Sequence, residues 1–291
     1  MQSEHFQLHA EIEQRHWWFV ARRRILRELV RAAIAKNAAP TKTPGSANPG
    51  SESRQVLVDI GCGTGANLAA FADEYDCVGI DTSAEAIALA RQRFPAMTFI
   101  RGKAPDDVGN WLATARVVLI TDVLEHVAED RGMLASIANA CSLGANILIT
   151  VPADMRLWSP HDEAFGHYRR YEPQSLAALW TELPVSKRLL SHFNSRLYPI
   201  VRMARSMSQK RGKAAGRSNT DFRLPARPIN RALENIFAGE GRKLTATIDS
   251  GISPYHYGVS LIAILERQEA PIRHAIVEMP TSGLIAGEVA V

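Results

Sequence analysis

The sequence predicts a doubly wound α/β fold, a mostly parallel sheet with helices on both faces. Three observations carry that prediction. From Gln55 onward, short apolar runs such as Val56–Ile60 alternate with amphipathic stretches of helical period, the pattern of successive β-α units. The first run enters Gly61-Cys62-Gly63-Thr64-Gly65, where absent Cβ atoms let the backbone turn sharply and pass close to a ligand. Asp81 ends the second run about twenty residues on, where a carboxylate can accept from both hydroxyls of a ribose.

The elements follow in chain order. Residues 4–36 read as one long helix, because Trp18, Arg22, Ile25, Leu29 and Ala33 recur at helical spacing. Within it stands His16-Trp17-Trp18-Phe19-Val20-Ala21-Arg22-Arg23. Three adjacent aromatics cannot share one helix face. Either they staple the helix to the domain, or Trp17, Trp18 and Arg22 close over a ligand. Residues 38–54, rich in Pro, Gly and small polar side chains, cannot bury enough surface to order themselves and read as a flexible linker.

Strands are expected over 56–60, 77–81, 97–101, 116–121, 146–151 and 187–192, with a last strand over 257–266. Helices are expected over 66–74, 84–93, 129–140 and 173–182. The chain thus divides into an N-terminal helical cap (1–37), a linker (38–54), a core (55–193), a helical lid insertion (194–254), a last core strand (255–268) and a peripheral tail (269–291). No internal repeat is visible.

Composition places the chain among ordinary globular proteins: 291 residues, 46% of them hydrophobic, suffice for a sizeable core. No apolar run reaches the roughly 20 residues a bilayer span needs, and Met1-Gln2-Ser3-Glu4-His5 lacks signal-peptide organisation. The expected location is the cytoplasm. Cys62, Cys77 and Cys141 show no metal-ligand spacing and read as reduced, buried thiols. The net charge of +4 is uneven, with arginines at 22–24, at 169–170 and between 202 and 217. No nucleic-acid module accompanies them, so nucleic acid is not an expected partner. The stretch 197–207 with its basic neighbours reads as a lid on the protein's own core or, alternatively, as a peripheral membrane contact.

The glycine turn alone does not choose a ligand, since Gly61-x-Gly63-x-x-Ala66 also fits a dinucleotide fingerprint. Asp59 weighs against that choice. A carboxylate just ahead of the turn repels a pyrophosphate and suits a cationic amino-acid ligand. The fourth strand then runs into Thr121-Asp122-Val123-Leu124-Glu125-His126-Val127, and no second mononucleotide-binding half follows.

Together, Val-Leu-Val-Asp-Ile-Gly-Cys-Gly-Thr-Gly, Asp81 and Asp-Val-Leu-Glu-His-Val resemble the class I S-adenosylmethionine-dependent methyltransferases over about residues 55–151. The resemblance implies a seven-stranded Rossmann-like sheet, mostly parallel with an antiparallel last strand. It implies S-adenosylmethionine as cofactor and S-adenosylhomocysteine as product. The implied cofactor residues are Asp59, Gly61, Cys62, Gly63 and Gly65 at the turn, Asp81 with Thr82 at the ribose, Lys103 and Ala104 beside the adenine, and Asp122, Val123 and Arg22. Lys103 departs from the family, which often places an acid or small polar residue there. His-Trp-Trp-Phe-x-Ala-Arg-Arg and Gly166-His167-Tyr168-Arg169-Arg170-Tyr171 resemble a bacterial subgroup associated with polysaccharide, lipid or secondary-metabolite pathways.

Methyl transfer from a sulfonium mainly needs alignment, and a hydroxyl acceptor also benefits from a general base. His126, after the fourth strand, is a base or a pocket-shaping residue. The segment 152–171 is too polar for core and too long for a tight connection, so it reads as an active-site loop. Its His161 and His167 are candidate catalytic residues, and Arg169, Arg170 and Tyr171 candidate substrate contacts. An internal hydrogen-bond network is the alternative for each. Adjacent His161, Asp162 and Glu163 seldom converge on one ion, so no metal is expected. The expected activity is methylation of a small-molecule or lipid-linked acceptor, at oxygen, with nitrogen or carbon as the alternative.

Overall fold

The computed structural model describes residues 3–37, 54–212 and 223–269. The linker expected over 38–54, save Arg54, the basic run 213–222 and the tail from 270 lie outside the described residues. Seven strands form one sheet: β1 (Val56–Ile60), β2 (Asp76–Asp81), β3 (Thr98–Arg101), β4 (Ala115–Thr121), β5 (Asn146–Pro152), β6 (Val185–Phe193) and β7 (Ser260–Arg267). Their order is β3-β2-β1-β4-β5-β7-β6. β1 pairs in parallel with β2 and β4, and β4 with β5. β7 runs antiparallel to both β5 and β6. This is the Rossmann-like sheet the sequence predicts.

The strands read as unbroken apolar runs because both faces are covered. Alternate residues serve opposite layers. Leu57, Val117, Leu119 and Leu148 join one core with Ile25, Leu26 and Leu29 of α2 (Trp17–Asn37). Val58, Val118, Ile120 and Ile147 join another with Leu134 and Ile137 of α6 (Asp130–Ala140). Each such aliphatic side chain contributes roughly 1.5–3 kcal/mol by leaving water. The strand order reverses between β1 and β4, which opens a crevice at their carboxyl ends.

The N-terminal region corrects the single predicted helix. It is split into α1 (Ser3–Ile12) and α2, because His16 caps the second helix. The His16 Nδ1 accepts from Trp18 N–H at 3.3 Å, and Asn230 Oδ1 accepts from Trp17 N–H at 3.0 Å. Two predicted helices are also shorter. α3 (Ala66–Ala69) gives way to i→i+3 turns such as Phe71 N–H to Leu68 C=O, and α8 (Pro173–Ala178) ends in the same manner. The last strand starts at Ser260, because Ser195 Oγ donates to the Tyr257 carbonyl and holds it off the sheet.

The remaining helices are α4 (Ala84–Arg93), α5 (Gly109–Leu112), α7 (Pro160–Phe165), α9 (Tyr198–Arg211), α10 (Arg227–Ala238) and α11 (Gly241–Ala246). α10 and α11 pack on α2, on the flank of the sheet. Of the inserted helices, α9 is the one that reaches the crevice, through Val201 and Arg205.

Candidate active site

A cavity of about 960 Å³ lies at the carboxyl ends of β1, β2, β4 and β5. Its floor includes Ile60, Gly61, Cys62 and Gly63, and its wall includes Asp81, Thr82, Lys103, Ala104, Asp122 and Val123. Two glycines show why the turn has this composition. Gly61 has φ +70°, and a Cβ there would stand 2.5 Å from Val123 Cγ2. Gly63 has φ +52° with nothing within 4 Å of where its Cβ would be, so its backbone is open to a ligand in the cavity.

Asp81 both shapes the turn and faces the cavity. One carboxylate oxygen accepts from Gly63 N–H at 3.0 Å and the other from Ser83 N–H at 2.8 Å. A carboxylate has about four acceptor positions, so two remain for hydroxyl donors. The residue after α1 closes the turn from above: Thr64 Oγ1 donates to Glu13 at 2.8 Å, and Glu13 pairs with Arg93.

Beneath the turn, Asp59 is wholly buried and neither carboxylate oxygen has a hydrogen-bond partner among the described residues. Burial pushes its pKa up to about 7, against the pull of the Arg22 guanidinium. Arg22 itself is committed to other groups. It pairs with Asp122 at 2.8 Å, donates to Thr150 Oγ1 at 3.0 Å, and stacks 4.8 Å from the Trp18 ring. α2 is thereby fixed to the ends of β4 and β5.

The other half of the cavity is built from α1, α2, α7, α9 and the residues after β4. Phe6, His9, Trp17, Trp18, Phe19 and Phe165 give it an aromatic lining. Asp162 organises the polar side. It accepts from Arg170 Nε at 2.9 Å, from Arg205 Nη1 at 2.9 Å and from Ser159 N–H at 2.9 Å, and it lies 3.0 Å from His167 Nδ1. Burial alone would raise its pKa. The His167 hydrogen bond and the two guanidinium groups outweigh burial and hold the carboxylate ionised, well below its usual range. An ionised Asp162 fixes the tautomer: the His167 Nδ1 carries the hydrogen and Nε2 the lone pair.

His126 stands with its ring edge-on to His167 at 4.7 Å. Burial, and then His167, lower its pKa to about 4, against the opposing pull of the Gly166 and Phe165 backbone. His161 is buried against Phe165, and burial followed by Arg205 pushes its pKa well down. Both imidazoles are therefore neutral near pH 7. Glu125, beside His126, is wholly buried, and both its carboxylate oxygens lack hydrogen-bond partners among the described residues. Burial, and then Asp122, push its pKa well up.

The structure brings most of the predicted site residues to one cavity: Trp17, Trp18, Arg22, Gly61, Cys62, Gly63, Asp81, Thr82, Lys103, Ala104, Asp122, Val123, His126, His161, His167 and Arg170 all line it. Gly65 caps α3, and Asp59 lies under the wall. Arg169 and Tyr171 point elsewhere, which corrects their expected substrate contact. Arg169 pairs with Asp130 at 2.6 Å, and the Tyr171 hydroxyl donates to the same carboxylate at 2.7 Å. The segment is extended, so residues 169 and 171 face one side and Arg170 the other. Arg170 reaches the cavity but is spent on Asp162 and the Ala153 carbonyl, at 2.8 Å for the latter. Sequence reasoning missed Glu125, Glu13 and Arg205. Glu125 lay inside a motif already singled out; Glu13 and Arg205 owe their place to contacts distant in the chain.

A mostly parallel sheet with a glycine turn, a carboxylate ending its second strand and a deep cavity at its switch point is the arrangement in which such sheets bind ligands. Comparison narrows the class. The model of a methyltransferase-domain family matches residues 21–183, and the chain belongs to that family. It is 26% identical over 104 residues to trans-aconitate 2-methyltransferase of Acidovorax sp. strain JS42 and to that of Acidovorax ebreus strain TPSY, covering 34% of this chain and 39% of each relative. The chain thus spans well under half the length of the curated relatives it matches. Among solved structures, the plantazolicin methyltransferase BamL, in complex with a triazolic desmethylPZN analogue and SAH, superposes with TM-score 0.52 at 14% identity, covering 86% of both chains. A chain of the Haloferax volcanii complex between the Trm112 methyltransferase activator and a methyltransferase gives 0.50 at 15% identity, covering 91% of this chain and 94% of that one. These two likenesses show the fold.

Proposed function

We propose that the protein transfers a methyl group from S-adenosylmethionine to an oxygen of a small-molecule or lipid-linked acceptor. The observation that carries this reading is Asp59: a wholly buried carboxylate with no hydrogen-bond partner among the described residues, directly under the glycine turn. Such a group is costly unless a bound cation compensates it. A sulfonium amino acid brings an ammonium; a nicotinamide dinucleotide brings an anionic pyrophosphate, which Asp59 would repel.

The fit extends to the rest of the wall. Gly61, Cys62, Gly63 and Gly65 hold the amino-acid portion, with Arg22 and Asp122 behind it. Asp81, with Thr82, accepts from the ribose hydroxyls, and Lys103, Ala104 and Val123 flank the base. When bound, the cofactor supplies a methyl group on a sulfonium leaving group. The protein's own work is to place the acceptor and to ease loss of its proton. The aromatic lining gives the acceptor an apolar bed, and His126 and His167 meet its hydroxyl. Asp162 orients His167, which is therefore the favoured proton acceptor. His161 supports the wall beside them. Arg170 and Arg205 act as positioning residues through Asp162. Transfer to nitrogen or carbon would not require this imidazole pair.

Calorimetry with S-adenosylhomocysteine and, separately, NADH tests the reading. Binding of the first with loss of affinity in Asp81→Ala supports it; binding of NADH alone overturns it. The exposed Ile200, Met203 and Met207 on α9, beside Arg202, Lys210 and Arg211, favour a lipid-linked acceptor delivered at an anionic membrane surface.

A further inference from the structure

Glu125, His126 and His167 present one donor atom each within 4.8 Å of one another. They come from two segments far apart in the chain, the turn after β4 and the extended stretch after α7, and all three line the cavity. We infer that these side chains bind a divalent cation of the zinc type, which holds and acidifies the acceptor hydroxyl. The inference rests on the proposed methyl transfer and, because ligation occupies the His167 lone pair, puts the cation in place of His167 as the group that activates the acceptor.

Three observations converge on a ligand at this point. Glu125 is a fully buried carboxylate whose two oxygens have no hydrogen-bond partner among the described residues, and Arg22 and Arg170 only partly offset its desolvation. His167 is already held on one side, as metal-ligating histidines are. Asp162 lies 3.0 Å from its Nδ1. The His167 Nε2 is thus left for the cavity. Asp162 is in turn fixed by Arg170 and Arg205, so the outer support is itself rigid.

Two imidazoles and one carboxylate select zinc, cobalt or iron over magnesium or calcium, which prefer oxygen ligands. Three protein ligands leave an open coordination position of the kind that catalytic zinc sites use. An acceptor hydroxyl in that position loses its proton to solvent water. The oxygen lone pair then forms the bond to the methyl carbon as the carbon–sulfur bond breaks, its electron pair remaining on the sulfur of S-adenosylhomocysteine. The expectation of no metal weighed the adjacent His161, Asp162 and Glu163; the cluster inferred here excludes all three as ligands and draws on spacing that only the fold creates.

The test uses the full chain, stripped with a chelator and titrated with Zn²⁺ by calorimetry and with Co²⁺ by absorption. One equivalent should bind. Glu125→Gln, His126→Ala and His167→Ala should each weaken it at least tenfold, and Asp162→Asn by roughly 10–100-fold. His256→Ala, exposed and outside the cluster, should leave it unchanged. The Co²⁺ complex should lack a thiolate charge-transfer band. Absence of stoichiometric binding, equal affinity in all variants, or a thiolate band that places the ion on cysteine overturns the inference. S-adenosylhomocysteine affinity, measured on the same samples, reports that each variant is folded. If that affinity persists while metal binding fails, the cation alone is wrong; if both fail in the wild type, the methyltransferase reading falls with it.

Discussion

Replacing Asp59 with asparagine removes a carboxylate buried under the glycine turn and should affect stability and ligand binding in opposite directions. The folded protein holds the Asp59 pKa at about 7, above its ordinary 3.8, through burial. A raised pKa means that folding favours the neutral form. Its contribution to stability is complete below about pH 4 and is lost as pH rises toward 7. At about 1.4 kcal/mol per unit, integrating over these two values gives a loss of roughly 4 kcal/mol by pH 8, of which about 3 falls between pH 5 and 8.

Urea denaturation of ligand-free protein should show this as a difference. Asp59→Asn gains on the wild type by a few kcal/mol as pH rises from 5 to 8, whatever Glu13, Glu125 and Glu240 add to both. The same variant should bind S-adenosylhomocysteine about 10–150-fold more weakly, the equivalent of the 1.5–3 kcal/mol of a charge-assisted contact. In the wild type, a proton competes with the ligand's ammonium, so affinity should fall about tenfold per unit below pH 7. A flat stability difference from pH 5 to 8, or near-wild-type affinity in Asp59→Asn, would refute the reasoning.

Other perturbations probe separate parts of the molecule. Gly61→Ala forces a side chain onto φ +70° and against Val123; a loss of about 1–3 kcal/mol in unfolding free energy should be only partly recovered by adding Val123→Ala. Asp162→Asn strips the shared acceptor from Arg170 and Arg205 and should cost roughly 3–5 kcal/mol in chemical denaturation. Met203→Glu with Met207→Glu should abolish flotation with anionic vesicles while leaving S-adenosylhomocysteine affinity intact; a wild type that never floats removes the membrane reading.

The sheet was readable in the chain because each core strand is an apolar run covered on both sides, and the cofactor half because its residues sit within a few positions of strand ends. The acceptor half was less legible. His16 interrupts the N-terminal helix with help from Asn230, more than two hundred positions away, and no local periodicity records such a contact. The motif 166–171 was visible as polar and functional, yet the extended backbone sends Arg170 one way and Arg169 and Tyr171 the other. Nor did composition reveal that Arg22, free as a ligand clamp on paper, is bound to Asp122 and Thr150.

β6 has a single neighbour, β7, which also completes the far edge of β5. On the ribosome this order matters. β5 and β6 are synthesised well before residues 260–267 emerge, and β6 has no strand to join until they do. The helices of the insertion are made during that interval. Until β7 slides between them, the wholly buried residues of β5 present an open, apolar edge, the kind of surface that chaperones recognise and that aggregates. β7 is the keystone of its half of the sheet, and lesions there should lower the yield of folded protein before they touch catalysis.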